Sequence, residues 1–278
     1  MPQYPFEYCI HCKRNTAGRL SFLFDNLGDD LLIILVAFAL VLETPIWGAI
    51  GISLLHISFW MIYEVGYYEN DLISATIESE CRTPPRFAAL RDKFSEPVSW
   101  VYAAVFGAGG IWAISQAADW HFMGMQTSGI LMATVIWVTV LIALRLTYWA
   151  YSRIDKVSRV FLYLPLQVLK YGFPIGFVSL TPAGAALLLA QILRRWVPYM
   201  VYRYTGVLHS GLPIRALRLV IFVTGWLLLL PSNFADPAHY IIGFTAIVLL
   251  AVRAFSQFKV VVKDAKSVQA DTWASKNS

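Results

Sequence analysis

Charge is what this chain has least of. Asp, Glu, Lys and Arg make up 14% of its 278 residues, whereas 58% are apolar. Soluble domains carry roughly 25% charged residues, so the composition excludes an ordinary water-facing surface and a disordered polar chain. Cysteine is nearly missing as well, at three residues, which excludes a fold stapled by disulfides. Cys9 and Cys12 frame His11 in CIHC. A zinc site needs about four ligands, and no second cluster completes it, so these thiols read as free; Cys81 stands alone. The first thirty residues hold no apolar run of h-region length, so no cleavable signal peptide is expected. Two further absences are positional. The loops near 118–127, 177–182 and 233–237 contain no Lys or Arg, and the loop 194–213 contains no Asp or Glu.

Apolar runs of membrane length recur in their place. A bilayer core takes about 20 apolar residues per helical crossing. By that measure eight spans are expected, near 29–45, 46–67, 98–117, 128–149, 157–176, 178–193, 214–232 and 238–257. The first is the weakest, because Asp29 and Asp30 open it and Glu43-Thr44-Pro45 breaks its end. Lys and Arg gather in alternate loops, at Lys13, Arg14 and Arg19, then Arg82 to Lys93, then Arg153, Lys156 and Arg159, then Arg194 to Arg203, and again from Arg253 onward. This is the positive-inside pattern. It assigns the net charge of +5 to topology rather than to a nucleic-acid partner, and it puts both termini in the cytoplasm of an integral inner-membrane protein. The expectation is an all-α polytopic transmembrane bundle of eight to nine spans. Residues 1–28 form a cytoplasmic or interfacial N-terminal segment, 29–258 the membrane domain and 259–278 a cytoplasmic tail. The polar loops 68–97, 150–159 and 194–213 share one side.

The stretch from Glu64 to Arg86 breaks the apolar pattern most sharply. Hydrocarbon does not solvate an ionised carboxylate, so an acid inside a span needs a partner or a wet cavity. Glu64, Asp71 and Glu78 recur at intervals of seven, which places them near one helix face, with Asn70 and Ser74 beside them. Arg82, Thr83 and Arg86 follow. Oxygen ligands followed by guanidinium groups suit a hard cation and a phosphate. Magnesium fits, because it takes carboxylates together with phosphate oxygens. The plainer reading is that Asp71 and Glu78 are solvated and pair with Arg82 and Arg86 at helical spacing.

These residues resemble the UbiA superfamily of intramembrane prenyltransferases. That family carries NDxxDxxxD after its second span, followed by an Arg-Thr-x-x-Arg run. Asn70-Asp71 begins the pattern here, Ser74 occupies the middle acidic position and Glu78 the last, and Arg82-Thr83-Pro84-Pro85-Arg86 follows. After span four the family has a Lys-Arg stretch leading into Leu-Pro-Gln; this chain has Lys156, Arg159 and Leu164-Pro165-Leu166-Gln167. In place of the family's second Asp-rich motif, the loop 194–213 offers Arg194, Arg195 and Arg203 among Tyr199, Tyr202 and Tyr204.

The resemblance implies a UbiA-like bundle and a transferase acting on a polyprenyl diphosphate or related isoprenoid phosphate at the cytoplasmic membrane face. Asn70, Asp71 and Glu78 would hold Mg²⁺. Arg82, Arg86, Lys156, Arg159, Arg194, Arg195 and Arg203 would bind phosphate oxygens, and Tyr63 and Tyr67 would face the substrate near Glu64. With one acidic motif replaced, a non-catalytic lipid-binding or assembly subunit is the alternative. A small transporter is another, built on a buried Glu64–Lys170 pair. Lys170 lies well inside span five and either snorkels or meets an acid. His56 reads as hydrogen-bonded to a neighbouring span, and Gly107, Gly109 and Gly110 as sites of close helix packing.

Overall fold

A computed structural model describes residues 5–10, 28–77, 87–117, 121–122, 125–126, 129–207 and 212–264. Within these the chain is helical, apart from a two-residue antiparallel pairing of His121–Phe122 with Met125–Gln126. The helices are α1 (Leu32–Phe38), α2 (Pro45–Ile77), α3 (Phe87–Arg91), α4 (Glu96–Ser115), α5 (Ile130–Arg153), α6 (Arg159–Gly172), α7 (Pro182–Thr205), α8 (Ile214–Leu229) and α9 (Pro237–Asp264).

Proline and glycine mark several boundaries. Pro45, Pro182 and Pro237 each open a helix, where a missing N–H costs nothing and φ is already helical. Thr181 caps α7 by accepting from the Gly184 amide at 3.1 Å, and Gly206 ends the same helix with φ at 69°, a left-handed position that disfavours a side chain.

Helices occupy all eight expected places, but they are unequal. Among the described residues, four are long and apolar enough to cross a membrane: Pro45–Ile77, Glu96–Ser115, Ile130–Arg153 and Pro237–Lys259. Their outward surfaces are apolar, with Leu131 78% and Val252 72% exposed, while the polar groups turn inward. α1 differs most from expectation. Its seven residues rise roughly 10 Å, and the chain then passes through a 3₁₀ turn at Ala39–Val41 before the break at Pro45. α2 departs in the other direction. Its 33 residues run roughly 50 Å, beyond a hydrocarbon core of ~30 Å, so Asn70 and Asp71 continue the same helix rather than starting a loop.

Two groups of helices make the core. α2 packs along α4 and α5; α7 packs on α8, and α9 on both of them. α6 joins the groups by touching α5 and α7. α1 precedes α2 in the chain but lies chiefly against α7 and also touches α9. The α2–α4 crossing is close because glycines meet there. A Cβ on Gly51 would lie 2.9 Å from the Gly110 carbonyl oxygen, and one on Gly110 3.0 Å from that of Gly51. Gly107 likewise abuts the Trp137 ring.

Candidate functional site

The acidic face of α2 is occupied by the chain's own beginning. Glu64, buried within the helix, accepts from the backbone amides of Phe6 at 3.0 Å and Cys9 at 2.8 Å. One helical turn pair further on, the Tyr8 hydroxyl donates to Asp71 Oδ2 at 2.5 Å. The heptad spacing therefore does put Glu64 and Asp71 on one face. Residues 7–10 form a short helical turn there, with Tyr8 packed against Tyr68 and Phe94. Residues 6–9 of the N-terminal segment thus pack against α2.

Asn70 sits beside Asp71, donating to its Oδ1 at 3.5 Å, and the Asn70 amide oxygen is buried without a partner. A carboxylate and an amide oxygen are each ligand types that a hard cation such as magnesium takes, but Asn70 turns its amide nitrogen, not its oxygen, toward Asp71. Glu78, Arg82 and Arg86 lie outside the described residues. Among those described, no three His, Cys, Asp or Glu side chains converge as metal ligands.

Beyond Asp71 the end of α2 faces the loop between α5 and α6. They enclose a cleft of about 280 Å³, lined by Ser74 and Ile77 on one side and by Arg153, Asp155, Lys156 and Arg159 on the other. Asp155 shapes this loop, since its Oδ1 accepts from the amides of Val157 and Ser158 at 2.9 and 3.0 Å. Bonds from the Ser158 side chain and backbone hold the Asp155 carboxyl below the usual range. Arg159 is positioned by its own loop: it donates to the carbonyls of Ile154 and Ser152 and lies 5.5 Å over the Tyr151 ring. Arg153 bonds Glu69 at 2.6 Å. Glu69 also receives Arg145, which reaches on to Glu96 at 2.9 Å, so α2, α4 and α5 are pinned together at the cleft.

An aromatic wall runs from this region into the bundle. Tyr63 meets Trp60 and Tyr148 at 4.9 Å and Tyr67 at 5.0 Å between ring centres. Gly66 makes room for Tyr148, whose ring would lie 2.2 Å from an added Cβ. The hydroxyls of Tyr151 and Tyr199 share a 2.7 Å bond. Arg203 then stacks over Tyr199 at 4.9 Å and Tyr202 at 5.4 Å, whereas Tyr204 points out and is exposed.

Two arginines expected at the phosphate, Arg194 and Arg195, lie elsewhere, in a buried cluster with Lys170. Lys170 bonds Asp30 at 2.5 Å, not Glu64, and rests 4.8 Å over the Trp60 ring. Asp30 also accepts from Tyr171, Gln191 and Arg195 at 2.7, 2.9 and 2.8 Å. Arg194 bonds the neighbouring Asp29, which Arg218 approaches to 3.4 Å and Arg253 to 3.8 Å. The two acids sit in a π-helical turn at 28–31 that leads into α1. In the sequence alone these acids stand out only as a weakness of the first span. Gln191, Arg218, Arg145 and Glu69 belong to no motif, although Arg218 and Arg145 each interrupt an apolar run and so require partners.

No protein-family model, curated protein or solved structure matches this chain.

Proposed function

We propose that this protein is an intramembrane transferase of the UbiA type, acting on a polyprenyl diphosphate or related isoprenoid phosphate, within a bundle of eight or nine spans whose cleft opens to the cytoplasm. The observation that carries this reading is the cleft itself. Two sequence features read separately, the polar end of α2 and the basic run after α5, line one space through Ser74, Lys156 and Arg159.

In this reading Lys156 and Arg159 receive the phosphate oxygens and Arg203 approaches along the tyrosine wall. Guanidinium groups hold phosphate through paired N–H donors, and an ammonium adds compact charge. Their work is to stabilise charge that grows on the leaving group. The bond between the allylic carbon and the diphosphate oxygen breaks, its electron pair departs with the diphosphate, and the acceptor then attacks the carbon and gives up a proton to the released diphosphate or to water. Tyr63, Tyr67 and Tyr148 present ring faces that favour a cation and keep water out. Asn70 and Asp71, with Glu78, would hold Mg²⁺, which supplies further neutralisation of the diphosphate when bound.

A second reading has an observation of its own. Both oxygens of Glu64 and one of Asp71 are engaged by residues 6–9, which suits a scaffold that binds lipid or a partner without catalysis. The transporter reading loses its basis, because Glu64 and Lys170 have separate partners. Mass spectrometry of lipids that co-purify with the protein tests the shared core of the first two readings. An isoprenoid phosphate or diphosphate enriched over the bulk membrane supports it, and bulk phospholipid alone removes it.

A further inference from the structure

The interior ion cluster is unbalanced. Lys170, Arg194, Arg195, Arg218 and Arg253 all face Asp29 or Asp30, so five cations meet two carboxylates among the described residues. Other described acids in the bundle are committed elsewhere: Glu64 holds the amides of residues 6 and 9, and Glu69 and Glu96 hold Arg145. Of the acids outside the described residues, only Asp25 is near Asp29 in sequence, and one more carboxylate would still leave positive charge in excess.

Excess charge of one sign is costly where water is excluded, because each ion loses several kcal/mol of solvation that only an opposite charge restores. The donors are in surplus too. The Nε groups of Arg194 and Arg218 are buried without a partner, and Arg218 is 0% exposed. The cluster is not sealed. The side chains of Arg195 and Arg253 are 25% and 28% exposed, so it reaches the surface where α7 and α9 approach the turn before α1.

We propose that this cluster is an anion site for a phosphate-class group, either free phosphate or diphosphate or the headgroup of an anionic lipid, held between Arg195 and Arg253 and anchored by Asp29 and Asp30. The two acids fix the orientation of the guanidinium groups, and the anion completes the charge balance. Phosphate fits better than a carboxylate because it brings up to two charges and several acceptor oxygens, which matches forked donors arriving from different helices. The site goes beyond the transferase reading. It is built from α1, α7 and α9 rather than from α2 and the α5–α6 loop, and it needs no divalent cation.

The test uses the full chain in phosphatidylcholine nanodiscs with a chelator present, so that a metal-dependent site stays silent. Sodium phosphate and sodium diphosphate are titrated while binding heat and the thermal unfolding midpoint are followed. A parallel set of discs doped with phosphatidylglycerol separates a lipid headgroup from a free anion. The site is supported if either source raises the midpoint, if Arg253→Gln weakens that effect about tenfold or more, and if Arg91→Gln, at an exposed arginine paired with Asp92, leaves it unchanged. Arg195→Gln is the second variant, its side chain being partly exposed like that of Arg253. Wild-type protein whose midpoint moves with neither source overturns the proposal. So does an Arg253→Gln and Arg195→Gln pair that responds like wild type, or an Arg91→Gln protein that loses the response equally. Because no isoprenoid and no divalent ion enter the experiment, its failure leaves the transferase reading to its own test.

Discussion

Lys170 and Asp30, 140 positions apart in sequence, meet at 2.5 Å and join α6 to the turn before α1. Asp30 is fully buried and takes four donors, which between them come from α6 and α7. A carboxylate this deep is tolerated only because its acceptor capacity is filled by charge and hydrogen bonds. It also explains why a helix as short as α1 holds its place in the bundle.

Asp30→Asn should therefore be strongly destabilising. Removing one charge from a buried network strands its cations, and the expected cost is about 3–5 kcal/mol. Lys170→Met should cost less, since Arg195, Tyr171 and Gln191 still satisfy Asp30. Unfolding in mixed micelles measures both. An Asp30→Asn protein as stable as wild type would sink this account of the interior.

The side of the membrane on which the polar loops lie is directly measurable. Ala88 and Tyr204 are both exposed, and the alternation of Lys and Arg puts them on the same face. In a chain with the native cysteines replaced by serine, Ala88→Cys and Tyr204→Cys should react with a membrane-impermeant thiol reagent from one side only, the same side for both. Labelling from opposite sides contradicts the proposed topology.

Arg203 separates a phosphate contact from a merely topological charge. Its guanidinium is already oriented by Tyr199 and Tyr202, and loss of a charged hydrogen bond to phosphate should cost ~1.5–3 kcal/mol of binding. The comparison is the affinity of Arg203→Ala and wild type for an isoprenoid diphosphate. Equal affinities would return Arg203 to a role in packing alone.

Much of the helical plan was legible because hydropathy acts over long windows. All eight expected places hold helix, and the face shared by Glu64 and Asp71 followed from a spacing of seven. Helix length was less legible. Nothing local ends α2 at residue 67, so the polar residues 68–77 simply continue it. The partners of the buried charges were the least legible. The expected pairing of Lys170 with the conspicuous acid, Glu64, supposed that spans two and five share a cavity, whereas α1 packs against the C-terminal helices and delivers Asp30 instead. That choice depends on which helices touch, which no single-segment pattern encodes. The N-terminal segment hid itself differently, since its contacts with Glu64 are made by backbone amides, which carry no residue signature.

The central claim is metal-assisted recognition of an isoprenoid diphosphate at the end of α2. Titrating geranylgeranyl diphosphate into the nanodisc-embedded protein, in magnesium and again in chelator, tests it most directly. Asp71→Asn is the informative variant, because asparagine still offers an oxygen to the Tyr8 hydroxyl while removing a charge that magnesium favours. Wild type should bind at least about tenfold more tightly in magnesium than in chelator, and Asp71→Asn should stay folded and lose that difference. Wild-type binding that is the same in chelator as in magnesium would contradict the claim.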